Sequence, residues 1–155
     1  MALKQGKQPS VRFDVAGPFG FQGVSFEPKV ITFNKDAISG TSNNDFWQVP
    51  AGTFIAQVFV RADTELDGSG TVEIGSDGNP DLFIDQTDFD ASTAGNWATN
   101  IGSTTAVGAS GSYFAAADNI RLAVGGTPTQ GAVSGFIVYY EVGSMVDEGI
   151  HFDIA

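Results

Sequence analysis

The sequence predicts an all-β protein, an antiparallel β-sandwich of jelly-roll-like type with extended N- and C-terminal arms. Apolar and polar residues alternate with a period of two in segments of strand length. The breaks between these segments are filled by Gly, Asn, Asp and Pro, and no window carries a convincing apolar period of helical spacing. The 155 residues include 13 Phe and 20 Gly, a mixture that suits sheets joined by tight turns.

Three shorter strands are expected early in the chain, in VRFDV (11–15), SFEPKVITF (25–33) and DFWQV (45–49), with Pro28 marking an edge or a bend. TFIAQVFVRAD (53–63) then sets Phe54, Ala56, Val58, Val60 and Ala62 on one face, as a half-buried strand does. The same period recurs in TVEIG (Val72, Ile74), in NIRLAV (Ile120, Leu122, Val124) and in SGFIVYYEV (Phe136, Val138, Tyr140, Val142). The last of these also carries Ile137 and Tyr139 on its opposite face, as expected of a central strand or one at a subunit contact. Asp67-Gly68, Asp77-Gly78-Asn79-Pro80, Gly108–Gly111 and Gly125-Gly126 supply the turns, and FAAAD (114–118) is at most a single helical turn.

This organisation places a sandwich body at residues 46–143, an N-terminal arm with edge strands at 1–45 and a C-terminal tail at 144–155. In VAGPFGFQG, Pro18 and three glycines surround Phe19 and Phe21, so these aromatics need another surface to cover them. In the tail, Ile150, Phe152 and Ile154 alternate with His151 and Asp153, a pattern able to add to a sheet edge. Phe13, Phe19, Phe21, Ile137, Tyr139, Ile150, Phe152 and Ile154 are therefore the expected partner contacts.

The formal charge of −11 opposes nucleic-acid binding, which depends on Lys and Arg at the phosphates. Its distribution is uneven: Lys4, Lys7, Arg12, Lys29 and Lys35 lie early in the chain, whereas Asp63 to Asp90 contains nine acids and no base. Without cysteine there is no disulfide, thiol chemistry or Cys-bound zinc. No stretch has the length and apolarity of a membrane helix, and MALKQGKQPS lacks the apolar core of a secretory signal, so a soluble protein without membrane contact is expected.

Asp77, Asn79, Asp81 and Asp85 offer oxygen ligands around one turn, which makes calcium the one cofactor to weigh. The EF-hand pattern is not met, and Asp and Asn favour turns for backbone reasons alone, so a solvated hairpin tip is the preferred reading and no cofactor is expected. His151, with Ser144, Asp147 and Asp153 nearby in sequence, lacks the nucleophile elbow of a hydrolase, and no phosphate loop occurs. Trp47, Trp97, Tyr113, Tyr139 and Tyr140 could stack sugars if several shared an exposed face, although core and interface roles are commoner for such residues.

VPAGTFIAQVFVRADTELDGSGTVEIGSDGNPDLFID, SYFAAADNIRLAVGG and TQGAVSGFIVYYEV together resemble structural proteins of tailed bacteriophages and related cyanophages. The resemblance spans roughly residues 49–142 and rests on strand and turn patterns, so no family site residues transfer. It implies a non-enzymatic virion protein, a capsid cement or decoration protein or a small head or tail fibre module. Such a protein would form a homo-oligomer, often a trimer, with the major capsid protein or other virion proteins as partners. The competing expectation is a carbohydrate- or receptor-binding module of a phage fibre, with an exposed aromatic cluster that includes Trp97.

Overall fold

The computed structural model describes residues 27–143, and its regular elements are all strands. These are β1 (Lys29–Lys35), β2 (Ser42–Val49), β3 (Thr53–Thr64), β4 (Thr71–Ser76), β5 (Trp97–Thr99), β6 (Ser112–Phe114), β7 (Asp118–Gly125) and β8 (Ala132–Glu141). They form two antiparallel sheets. The five-stranded sheet runs β1-β8-β3-β5, with β6 also paired to β3, and the three-stranded sheet runs β2-β7-β4. The chain switches sheets at nearly every connection, so each sheet depends on the other for its strand order.

All four strands read from strict alternation are present, and β1 begins directly after Pro28 as an edge strand of its sheet. β5 and β6 were not legible, because three residues are too few to show a period. The buried cluster lies between the sheets: Val58, Val60, Val133 and Ile137 on one side, and Val72, Ile74, Ile120, Leu122 and Val124 on the other.

Two bulges change the faces that simple alternation predicts. In β3 the register slips between Ile55 and Gln57, so Thr53 and Ile55 point inward before it and Val58, Val60 and Ala62 after it. Phe54 and Ala56, expected on the core face, are therefore displaced from it. In β2 the slip between Asp45 and Trp47 lets two consecutive aromatics pack toward the other sheet. Phe46 meets Phe33 at 4.7 Å, and Trp47 meets Tyr139 at 4.8 Å.

β8 is the central strand of its sheet, lying between β1 and β3. Ile137, expected at a partner contact, is wholly buried in the protein's own core, and Tyr139 packs partly buried against that core. Phe136, Val138 and Tyr140 consequently face outward. Both faces of this strand are apolar in sequence, so only pairing on both edges decides which one the core receives.

The connection from β4 to β5 inserts Leu82, Phe83 and Ile84 into the core and adds an isolated bridge between Ile84 and Ile74 along the β4 edge. It begins with a reversal in which Ser76 and Asn79 exchange backbone hydrogen bonds of 2.8 and 3.2 Å. Gly75 permits this: a Cβ there would lie 2.1 Å from the Asn79 carbonyl oxygen, so no side chain fits without moving backbone.

Candidate interaction surface

The outward face of the five-stranded sheet carries a row of aromatic rings. Phe59 on β3 stacks on Phe136 of β8 at 5.0 Å and 12°, and on Trp97 of β5 at 5.7 Å and 24°. Trp97 is 61% exposed, and Val30 at the β1 end of the same face is 60% exposed. Alternation along β3 and β8 produces this row: with Val58, Val60 and Ile137 turned inward, Phe59 and Phe136 must point out.

Beside the row is an open trough of about 400 Å³, lined by Thr32, Phe33, Asn34, Phe59, Ser134 and Phe136 with Arg61 and Gly135. Gly135, in register with Phe33 and Val60, has no room for a side chain: a Cβ there would lie 2.5 Å from the Phe33 ring and 2.0 Å from the Phe59 carbonyl oxygen.

The charges around this face are paired. Arg61 donates to Asp63 at 2.5 Å, and Lys29 bridges Glu141 at 2.5 Å. Asp63 is held below the ordinary aspartate value, first by the Ser134 hydroxyl and then by Arg61, and Lys29 is raised chiefly by its bond to Glu141. Exposed pairs of this kind are screened by water and add little stability; the main effect of the Arg61–Asp63 pair is to leave its part of the face locally neutral. Elsewhere the described chain is acidic: residues 27–143 hold four bases and fourteen acids.

Those acids are largely engaged as turn staples. Asp85 accepts from the Thr87 backbone N–H (2.7 Å) and hydroxyl (2.6 Å), and Asp90 from those of Ser92 (3.0 and 2.5 Å). Asp77 accepts from Asn119 Nδ2 at 3.0 Å and from Arg121. Asp67 ties down the β7–β8 loop by accepting from the Thr129 hydroxyl (2.6 Å) and from the Thr129 and Gln130 N–H groups (2.5 and 3.2 Å). Asp77, Asp81 and Asp85, weighed as calcium ligands with Asn79, are not brought together: among the described residues no three acidic or histidine side chains form a group able to hold a metal ion. The backbone of Asn79 is engaged in the reversal after β4.

Hydrogen-bonded staples make the fold acid-sensitive. The Thr129 hydroxyl foremost holds Asp67 below the ordinary value of 3.8, and the Thr87 and Ser92 hydroxyls act in the same way on Asp85 and Asp90. A depressed carboxylate contributes stability above its unfolded pKa and loses it as pH falls through the folded one. Glu73 works in the opposite direction, raised by burial and then by Asp81 and Asp85. Urea midpoints should therefore stay level through neutral pH and drop as pH descends past about 3.8, with Asp67→Asn narrowing the difference between about pH 7 and pH 3. An unchanged difference in that variant would remove Asp67 from the effect.

Of the residues expected at partner contacts, Ile137 and Tyr139 turn inward, whereas Phe13, Phe19, Phe21, Ile150, Phe152 and Ile154 lie outside the described residues, as does His151. Among the aromatics weighed for sugar stacking, Trp97 is on the surface and Trp47 is packed against Tyr139. Phe59 and Phe136 went unnoticed as surface residues because each sits in an apolar run, where periodicity alone does not separate the faces.

No protein-family model and no curated protein matches the chain. Among solved structures, a chain of the cyanophage Pam1 capsid asymmetric unit is similar over 86% of this chain and 97% of its own length, with 17% identity and a TM-score of 0.51. A chain of the acid-stable capsid of Helicobacter pylori bacteriophage KHP30 is similar over 79% of this chain and 94% of its own, with 10% identity and a TM-score of 0.56. The protein shares their fold. At these identities the likeness is one of architecture, and it extends over nearly the whole of both capsid chains.

Proposed function

We propose that this protein is a non-enzymatic structural component of a phage virion, a cement or decoration protein that forms a homotrimer and stabilises the shell through protein–protein contacts. The observation carrying this reading is the fold shared with two phage capsid chains over 94–97% of their length. The strand orders β1-β8-β3 and β2-β7-β4, with the chain crossing between sheets, support a jelly roll. A neutral aromatic face on an acidic body also suits association, since interface centres are depleted of charge and rich in aromatics. Contacts with the major capsid protein or other virion proteins are assigned to the apolar terminal segments, with Phe13, Phe19, Phe21, Ile150, Phe152 and Ile154.

A fibre module that binds a glycan is the second reading, and exposed Trp97 favours it. The ring geometry argues against it. Sugars stack on flat ring faces, but both faces of Phe59 and one each of Phe136 and Trp97 are taken by neighbouring rings, which leaves single faces at the two ends of the row and not a platform of several. Light scattering on the purified full chain, followed by co-sedimentation with expanded empty phage heads, tests the proposal. A trimer that binds heads is expected. A monomer without affinity for heads that binds on a glycan array would overturn it.

A further inference from the structure

We infer that in the free chain residues 11–21, VRFDVAGPFGF, dock on the outer aromatic face of their own five-stranded sheet, with Phe13, Phe19 and Phe21 covering Phe59, Phe136 and Trp97. The face is an apolar surface on which the described residues place no cover, and its ring edges and trough suit further aromatic side chains. The occupant follows from where the chain runs. β1 is the edge strand of this same sheet, so the segment preceding Lys29 enters the fold beside the face.

Reach is sufficient. By register Phe136 lies one strand spacing across and three residues along from Lys29, roughly 11 Å, and Trp97 three spacings across and five residues along, roughly 22 Å, while the linker at 22–28 can extend to about 23 Å. Tethering also places the segment at an effective concentration in the millimolar range, which a separate molecule does not match in dilute solution.

Charge selects the same occupant. Residues 1–26 carry Lys4, Lys7 and Arg12 against Asp14, whereas the body from 27 to 143 has ten more acids than bases. The docked stretch 11–21 is itself neutral, with Arg12 against Asp14, and matches a locally neutral face; Lys4 and Lys7 before it are drawn to the acidic body, whereas two such bodies repel each other at long range. Gly17, Pro18 and Gly20 disfavour a helix, and an extended segment is what a sheet face can accept. An assembled shell would compete for the same three phenylalanines, but docking in the free chain stands independently of the virion proposal.

Trp97 reports the contact, because the chain has two tryptophans and the other, Trp47, is packed against Tyr139. In full-length Trp47→Phe protein, acrylamide quenching and the emission maximum read Trp97 alone. Fluorine NMR of fluorotryptophan-labelled wild type gives the same reading without disturbing Trp47. Trp97 is expected to be shielded at every protein concentration, and to become several-fold more quenchable and red-shifted in Phe13→Ser/Phe19→Ser/Phe21→Ser. Equal accessibility in the wild type and the triple variant would overturn the docking. So would shielding that grows with protein concentration and survives the triple variant, because a second copy would then be the cover. Binding to phage heads is scored separately, so failure here leaves that result standing.

Discussion

Phe83→Ala is expected to lower the stability of the fold by about 4 kcal/mol, near the upper end for an aromatic removed from a packed core. Phe83 is fully buried, and its ring lies against Gly108, where even a Cβ would come within 2.9 Å of it. On its other flank it meets Phe114 at 6.4 Å. The residue belongs to a connection without regular structure of its own, yet the backbone on either side is pinned: Phe83 N–H and Ile84 N–H both donate to the Ile74 carbonyl at 3.0 Å. The cavity cannot collapse freely, so both the lost transfer energy and the void contribute. A urea midpoint lowered at unchanged m-value checks this. A loss below about 1 kcal/mol would mean that residues 77–96 are not part of the cooperative core.

Asn100→Ala should remove about 3 kcal/mol, although a single small side chain is changed. Asn100 is completely buried beside the β3 bulge. Its Oδ1 accepts from Val58 N–H at 2.7 Å, and its Nδ2 donates to the carbonyls of Gly108 at 2.8 Å and Ala56 at 3.3 Å. The amide thus supplies what the bulge takes from the ladder, and alanine would strand those backbone groups away from water. Asn100→Asp keeps the acceptor but loses both donors and buries a charge, so it should be at least as damaging. Thermal unfolding gives the total loss. Hydrogen exchange at Val58 N–H gives the local one, and protection there equal to wild type would contradict the role assigned to Asn100.

The two sites differ in how visible they are in sequence. Asp81 and Asp85 stand out in sequence as possible ligands, yet the apolar Leu82, Phe83 and Ile84 between them matter more, because a chain that leaves one sheet and returns to the other must fill the end of the sandwich it crosses. Asn100 had no signal at all. It sits in an ordinary Gly- and Ser-rich stretch, and its importance arises from a bulge 42 residues away in sequence. The acidic run from Asp63 to Asp90 was visible as charge, but its use was not: the hydroxyl two residues on, at Thr87 and Ser92, takes up Asp85 and Asp90, and Thr129 from a distant loop takes up Asp67.

Alternation, turn residues and the lack of a helical period were sufficient by themselves to specify an all-β sandwich and the strands β3, β4, β7 and β8. These properties are local, and each is written within about ten residues of chain. Tertiary structure alone decided which face of β8 meets the core, how Phe59, Phe136 and Trp97 come to stand in one row, and where each carboxylate spends its lone pairs. A strand that is apolar on both sides can satisfy either register in isolation. Only pairing with β1 and β3 at once, with a bulge to absorb the mismatch, breaks that symmetry.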